Sequence, residues 1–262
     1  MIQKIYTGNA AMTLKVSVTT TSPQDIRIMV EDSDQEDTVL TDRVKSINGS
    51  FDFYVRMPLC RKYVNLYLTN DADGTDNGFT YNGFEKMHLE RRLAEIDFST
   101  YHLREFIKFY QKFCYNAGVL RVNDPGNDND FYRSNGWHFF IKYLPVIIDY
   151  KTGAELTTPC RVAENGLIEI SQKYFLNYTV PMRFAVGCHE YSHPFANEDP
   201  DDESEADLNG LTIYLGLGYP RIEANEAWGE VFEANPSDQN VERQEIIQQF
   251  ITDFESKKMV MW

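Results

Sequence analysis

The stretch Cys188-His189-Glu190-Tyr191-Ser192-His193-Pro194 decides how this chain reads, because it places two histidines four residues apart around a glutamate. Thr179 offers an N-cap and Pro181 is tolerated in a first turn, so a helix is predicted to enter this stretch from about residue 179. Positions i and i+4 share one helix face, which brings both imidazoles to the same side, one turn apart. Neutral imidazole nitrogens bind zinc at ~2.0–2.1 Å, and a carboxylate directly after the first ligand, Glu190, can accept a proton from a neighbouring water. By composition alone such a pair arises in roughly one chain of this length in a hundred. His88, His102 and His138 have no ligand spacing and read as structural or surface residues, and Cys188 reads as a small buried helix residue.

Ten residues beyond His193, Glu203-Ser204-Glu205-Ala206-Asp207 opens a second predicted helix that runs on to Gly218. Catalytic zinc commonly takes two histidines and one glutamate. Together the two segments resemble the gluzincin metallopeptidases, in the branch where H-E-x-x-H is followed by E-x-x-A-D, which includes the prenyl-protein membrane peptidases and their soluble relatives. The resemblance covers about residues 165–225. It implies a zinc ion held by His189, His193 and Glu203, with Glu190 as the catalytic base and Asp207 as the carboxylate that orients His189.

Three features depart from that pattern. The interval from His193 to Glu203 is shorter than usual, so the connecting loop must be tight. Pro194 follows the second histidine and predicts that the helix ends there. No histidine follows His193, so Tyr214, Tyr219 and Arg221 stand as candidates for stabilising an oxyanion. A rival third ligand is Asp199, ten residues after His189, where the metzincin pattern has its last ligand, although Ala196 replaces the expected glycine. The run Leu167-Ile-Glu-Ile-Ser171 is either the edge strand that an extended substrate would pair with or an ordinary sheet strand.

Outward from the motif, residues 11–70 alternate with period two: Met12, Leu14, Val16, Val18; Ile26, Ile28, Val30; Phe51, Phe53, Val55; Val64, Leu66, Leu68. Turn formers at Ser22-Pro23, across the acidic stretch 31–37 and at Asn48-Gly49-Ser50 separate these runs. The expectation is a small antiparallel β-sandwich, Ig-like, over 1–70, a docking or binding module. Residues 71–80, polar and glycine-containing, read as a linker, leaving a zincin-like α+β domain over 81–262. Within it the pattern predicts a strand over 84–93, a helix capped by Ser99 and stopped by Gly118, a loop over 123–136, and strands over 139–148 and 167–171.

Composition narrows the function. At 262 residues and 42% hydrophobic the chain can bury a sizeable core. Forty acidic against 25 basic residues give a formal charge of −15, which argues against nucleic acid as a direct partner. The first residues show no leader pattern and no stretch approaches ~18 apolar residues, so a soluble protein made in the cytoplasm, with no membrane partner, is expected. Cys60, Cys114, Cys160 and Cys188 lack any Cys-x-x-Cys spacing and read as free thiols. Two functions follow: a zinc metallopeptidase acting on a polypeptide, or a structural component of a larger assembly such as a bacteriophage virion. In the second, the zincin fold is scaffold, the zinc is structural, and the partners are other assembly proteins or further copies of the chain.

Overall fold

The computed structural model describes residues 1–256 apart from 36, 125, 128, 164 and 235. The fold is mixed α+β and divides into two compact units, Met1–Arg91 with Gly218–Pro220, and Arg92–Leu217 with the residues from Arg221 onward. No described helix is long and apolar enough to cross a membrane.

The first unit is one antiparallel sheet of five strands, β1 (Ile2–Tyr6), β2 (Met12–Asp32), β3 (Val39–Met57), β4 (Tyr63–Asn70) and β5 (Phe79–His88). Its period-two core is as the sequence predicts, with Leu14, Val16, Val18, Ile26, Ile28, Val30, Val64, Leu66 and Leu68 all fully buried. The expected pair of separate sheets is instead continuous. Ser22-Pro23 and Asn48-Gly49-Ser50 do not end strands, because they lie almost opposite one another in the β2–β3 ribbon, where the register shifts between Thr20 and Gln24. Both strands therefore bend together, as at a bulge, and keep pairing beyond it. The first half of β2 pairs with β5 and the second half with β4. Tyr81 of β5 donates a 2.6 Å hydrogen bond to Gln3 of β1, tying the two halves across the core.

That pairing also corrects the domain boundary. Residues 71–80 are no linker: Asn70 and Asp73 side chains cap a turn that returns the chain into β5, and the strand predicted over 84–93 is the end of β5 in this same sheet. The boundary falls at Arg91–Arg92.

Among the described residues the second unit holds six α-helices and a four-stranded sheet. Strands β6 (Tyr132–Arg133), β7 (Phe140–Leu144), β8 (Cys160–Val162) and β9 (Leu167–Ser171) lie in the order β6-β7-β9-β8, with β7 and β9 parallel and the outer strands antiparallel. β7 stops before Pro145, shorter than predicted, since proline cannot extend the ladder. α1 (Tyr101–Asn116) starts one residue late, with Thr100 rather than Ser99 at the cap position, because Ser99 is held by Asp97. A short α2 (Gln172–Phe175) leads into α3 (Val180–Phe195), followed by α4 (Glu203–Gly216), α5 (Arg221–Ala234) and α6 (Asp238–Ser256).

α3 is the axis of this unit, packed against α1, α4, α5 and β8. Its N-terminus is capped as expected, Thr179 Oγ1 accepting from the Met182 N–H. It runs through Pro194 to Phe195 instead of ending at the proline, and so keeps His193 helical. A proline in the last turn removes a single intrahelical bond, the one that residue 194 would give to the Glu190 carbonyl, and the ladder resumes beyond it with Ser192 O accepting from Ala196 N–H at 2.9 Å. All four cysteines are free and buried.

Candidate metal centre

His189 and His193 point from α3 with their Nε2 atoms 3.1 Å apart. α4 begins with Asp202, whose carboxylate accepts from Glu205 N–H at 2.9 Å, and that cap fixes Glu203 in the first turn facing the histidines. Glu203 Oε2 lies 3.4 Å from His189 Nε2, and Oε1 lies 3.8 Å from His193 Nε2. Donors bound at ~2.0–2.2 Å and arranged tetrahedrally would sit ~3.3–3.6 Å apart. The three observed separations bracket that range, so this group could hold a metal ion.

Both histidines are oriented from behind. His193 Nδ1 lies 2.7 Å from the Pro200 carbonyl, which the tight loop between the helices supplies. His189 Nδ1 lies 2.8 Å from Asp207 Oδ1. Asp207 is 1% exposed and serves three donors: Trp228 Nε1 donates to it at 2.6 Å, and Arg243 donates through Nε at 2.8 Å and Nη2 at 3.1 Å. Burial alone would raise the Asp207 carboxyl, but hydrogen bonds from His189 and Arg243 outweigh it and hold it below the usual range. Arg243 Nη2 also reaches Glu203 Oε2 at 3.0 Å, and the hydrogen bond with His189, helped by Arg243, keeps Glu203 ionised.

α4 can approach this closely because position 210 is glycine. A Cβ there would stand 2.8 Å from the backbone nitrogen of His189 and 3.0 Å from its Cα.

Glu190 points the other way, toward β8. The Val162 N–H and the Cys160 thiol approach its carboxylate, and burial pushes its pKa up to about 7 against those contacts and the His189 charge. Glu190, the two histidines and Glu203 line a cleft of about 450 Å³, whose other wall is the run 158–163. β8 is the edge strand beside this cleft. Of the two readings of Leu167–Ser171 the ordinary strand holds: it is β9, which lies inside the sheet between β7 and β8 with Ile168, Glu169, Ile170 and Ser171 all buried.

Other sequence candidates fall elsewhere. Asp199 is exposed, and its carboxylate accepts from Asp201 N–H instead of joining the histidines. Tyr214 and Tyr219 are core residues, 0% and 1% exposed, and Arg221 is exposed at the start of α5. None of the three lines the cleft. The cations that do are Arg161 of β8 and Arg243 of α6, both of which sequence reasoning missed along with Trp228. No family model, curated protein or solved structure matches this chain.

One consequence is measurable without a substrate. Burial lowers the His189 pKa, yet the hydrogen bonds from its imidazole to Asp207 and Glu203 outweigh that and raise it to about 10. The metal-free imidazole is thus protonated at neutral pH, and a metal must displace that proton. Titration of zinc at pH 7.5 in buffers of different ionisation enthalpy should show about one proton released per ion, with affinity rising ~tenfold per pH unit below pH 10. In the metal-free protein the same raised pKa contributes stability that is complete below about 6.5 and is lost as pH rises through about 10. Zinc binding without proton release would contradict this arrangement.

Proposed function

We propose that the chain is a zinc-dependent metallopeptidase that hydrolyses peptide bonds in the cleft between α3 and β8. The observation that carries the reading is the convergence of His189, His193 and Glu203 on one point while a buried carboxylate, Glu190, stands on the next residue of the same helix with its pKa raised to about 7. Two imidazoles and one carboxylate with an open side suit zinc better than the all-oxygen sites of magnesium or calcium. Zinc bound there would supply Lewis acidity toward a peptide carbonyl and an attacking water.

The chain's own residues would do the rest. Glu190 takes a proton at its carboxylate oxygen during attack and returns it to the leaving amine, a role suited to a pKa near the working pH. Asp207 keeps the His189 Nδ1 proton in place, so that Nε2 carries the lone pair toward the metal point. Pro200 does the same for His193. Arg243 pairs with Asp207 and Glu203, and it lines the cleft with Arg161 where charge would develop on the substrate. The edge of β8 offers backbone groups to an extended peptide, which explains why the cleft is a groove with a strand along one wall.

The test is to load the protein with zinc and incubate it with an unfolded polypeptide. Cleavage should appear, should vanish on chelation and return with zinc, and should be absent in His189→Ala and His193→Ala, whose metal content by mass spectrometry should fall from one per chain toward zero. Unchanged metal content in both variants would remove the reading.

A further inference from the structure

We propose that the groove along the outer face of α1 binds an acidic polypeptide segment in extended conformation. This site is separate from the metal centre and does not depend on it. The groove has a volume of about 580 Å³ and is lined by α1, the turn after it and β6. Arg104, Lys108 and Lys112 stand along it at successive four-residue intervals, all exposed, and Arg133 faces them from β6. These four cations meet in a chain whose formal charge is −15, so their grouping runs against the composition.

Among the described residues the Lys108 and Lys112 ammonium groups have no ion-pair or hydrogen-bond partner, and the Arg104 guanidinium donates only to the Phe98 carbonyl. Arg133 is held in place rather than neutralised, its guanidinium 4.5 Å from the ring centres of both Phe131 and Trp137. Among the described residues the one carboxylate lining the groove is Glu105, which is 8% exposed: its Oε1 accepts the Gly136 N–H, and its Oε2, 3.7 Å from His138 Nε2, has no hydrogen-bond partner. It fixes the loop and leaves the rim cationic.

The spacing selects the occupant. Four residues of helix advance ~6 Å, and alternate residues of an extended chain are ~6.6–6.8 Å apart. Acidic side chains at every second position therefore meet successive cations, with a mismatch that flexible lysines absorb. The residues between them would face a floor of Phe109, Phe113 and Tyr132. A small anion would engage one or two of cations that together span ~12 Å of helix, leaving the rest unused. A nucleic-acid strand would bring dense phosphate charge against a strongly acidic molecule and is the poorer fit. Recognition of acidic motifs by clustered cations is a recurring mode of peptide binding.

Fluorescence anisotropy with a labelled peptide carrying Glu at alternate positions and apolar residues between tests this. Binding should be saturable, should weaken as salt rises, and should fall at least tenfold in Lys108→Glu and Lys112→Glu. Lys45→Glu, an exposed lysine of β3 with the same change in net charge, should leave affinity within twofold. The neutral peptide with Gln for Glu should not bind. Lys108→Ala with Lys112→Ala guards against charge-reversal effects on folding and should also weaken binding. Absence of peptide binding, an equal loss in Lys45→Glu, or tighter binding of an oligothymidylate would each overturn the proposal.

Discussion

Glu190→Gln is expected to retain one zinc per chain and to lose peptide hydrolysis by ~100- to 10,000-fold. Gln keeps the shape of the side chain and can still meet the Val162 N–H, but it takes up no proton at neutral pH. The residue is not among the three that converge on the metal point, so metal content and secondary structure should be unchanged. A second signature comes from linkage. Burial raises the Glu190 pKa from 4.5 to about 7, so the folded, metal-free chain binds more protons than the unfolded chain between those values, and its stability falls as pH rises through that window. Gln removes that slope, so the difference between variant and wild type in denaturant midpoint should grow from pH 4.5 to 7 and then level off. Hydrolysis by Glu190→Gln at the wild-type rate would eliminate Glu190 as the base. If neither protein cleaves and both hold zinc, the metal's role is to hold the fold, as an assembly component would require.

The parts of this site that were legible in the sequence are those that sit within one helical turn of each other. His189 and His193 share a face by spacing alone. Glu203 and Asp207 were marked by the resemblance of their segment to the gluzincin pattern, and the structure places them one turn apart on one face of α4, behind the Asp202 cap. Arg243 and Trp228 were not. They arrive from α6 and α5, 36 and 21 residues from Asp207, and no local pattern distinguishes an arginine that will close on a buried carboxylate from one on a solvated face. β8 is invisible for a different reason: with three residues it is too short for periodicity to register, whereas the strand Leu167–Ser171 is legible at its true bounds, and only pairing decides that it is an inner strand and not the edge.

The N-terminal unit shows the same division. Period two located its buried faces, because alternation is a property of each strand by itself. Whether Ser22-Pro23 ends a strand or bends it depends on what the partner does at that level. Asn48-Gly49, with Gly49 at φ +91°, bends β3 at the matching point, so turn formers on both strands produce one shared corner. Pairing decides the outcome, and pairing is not local.

Gly210→Ala should loosen the metal centre by forcing α4 away from α3. The added carbon would lie 2.8 Å from His189 N and 3.0 Å from Cys188 C, and these are backbone atoms of α3, which have no rotamer to escape into. The helices must therefore separate, and the residues that move are those one and two turns up α4: Asp207, which orients His189, and Glu203, which completes the donor set. Overpacking of this kind costs about 1–3 kcal/mol, which corresponds to a fall in Tm of about 2–10 °C for a unit of this size. Losing the outer partner of a metal-bound histidine typically costs ~10- to 100-fold in metal affinity, and here a ligand is displaced with it. Competition with a chromophoric zinc chelator would read the affinity, and calorimetry would read the Tm. The control is Gly229→Ala on α5, where a Cβ meets nothing within 4 Å and the gain in helix propensity is worth ~0.5–1 kcal/mol. That variant should bind zinc like wild type and melt at the same temperature or slightly higher. If Gly210→Ala behaved like Gly229→Ala, the close approach of α4 to α3 would not be what brings Glu203 to the histidines.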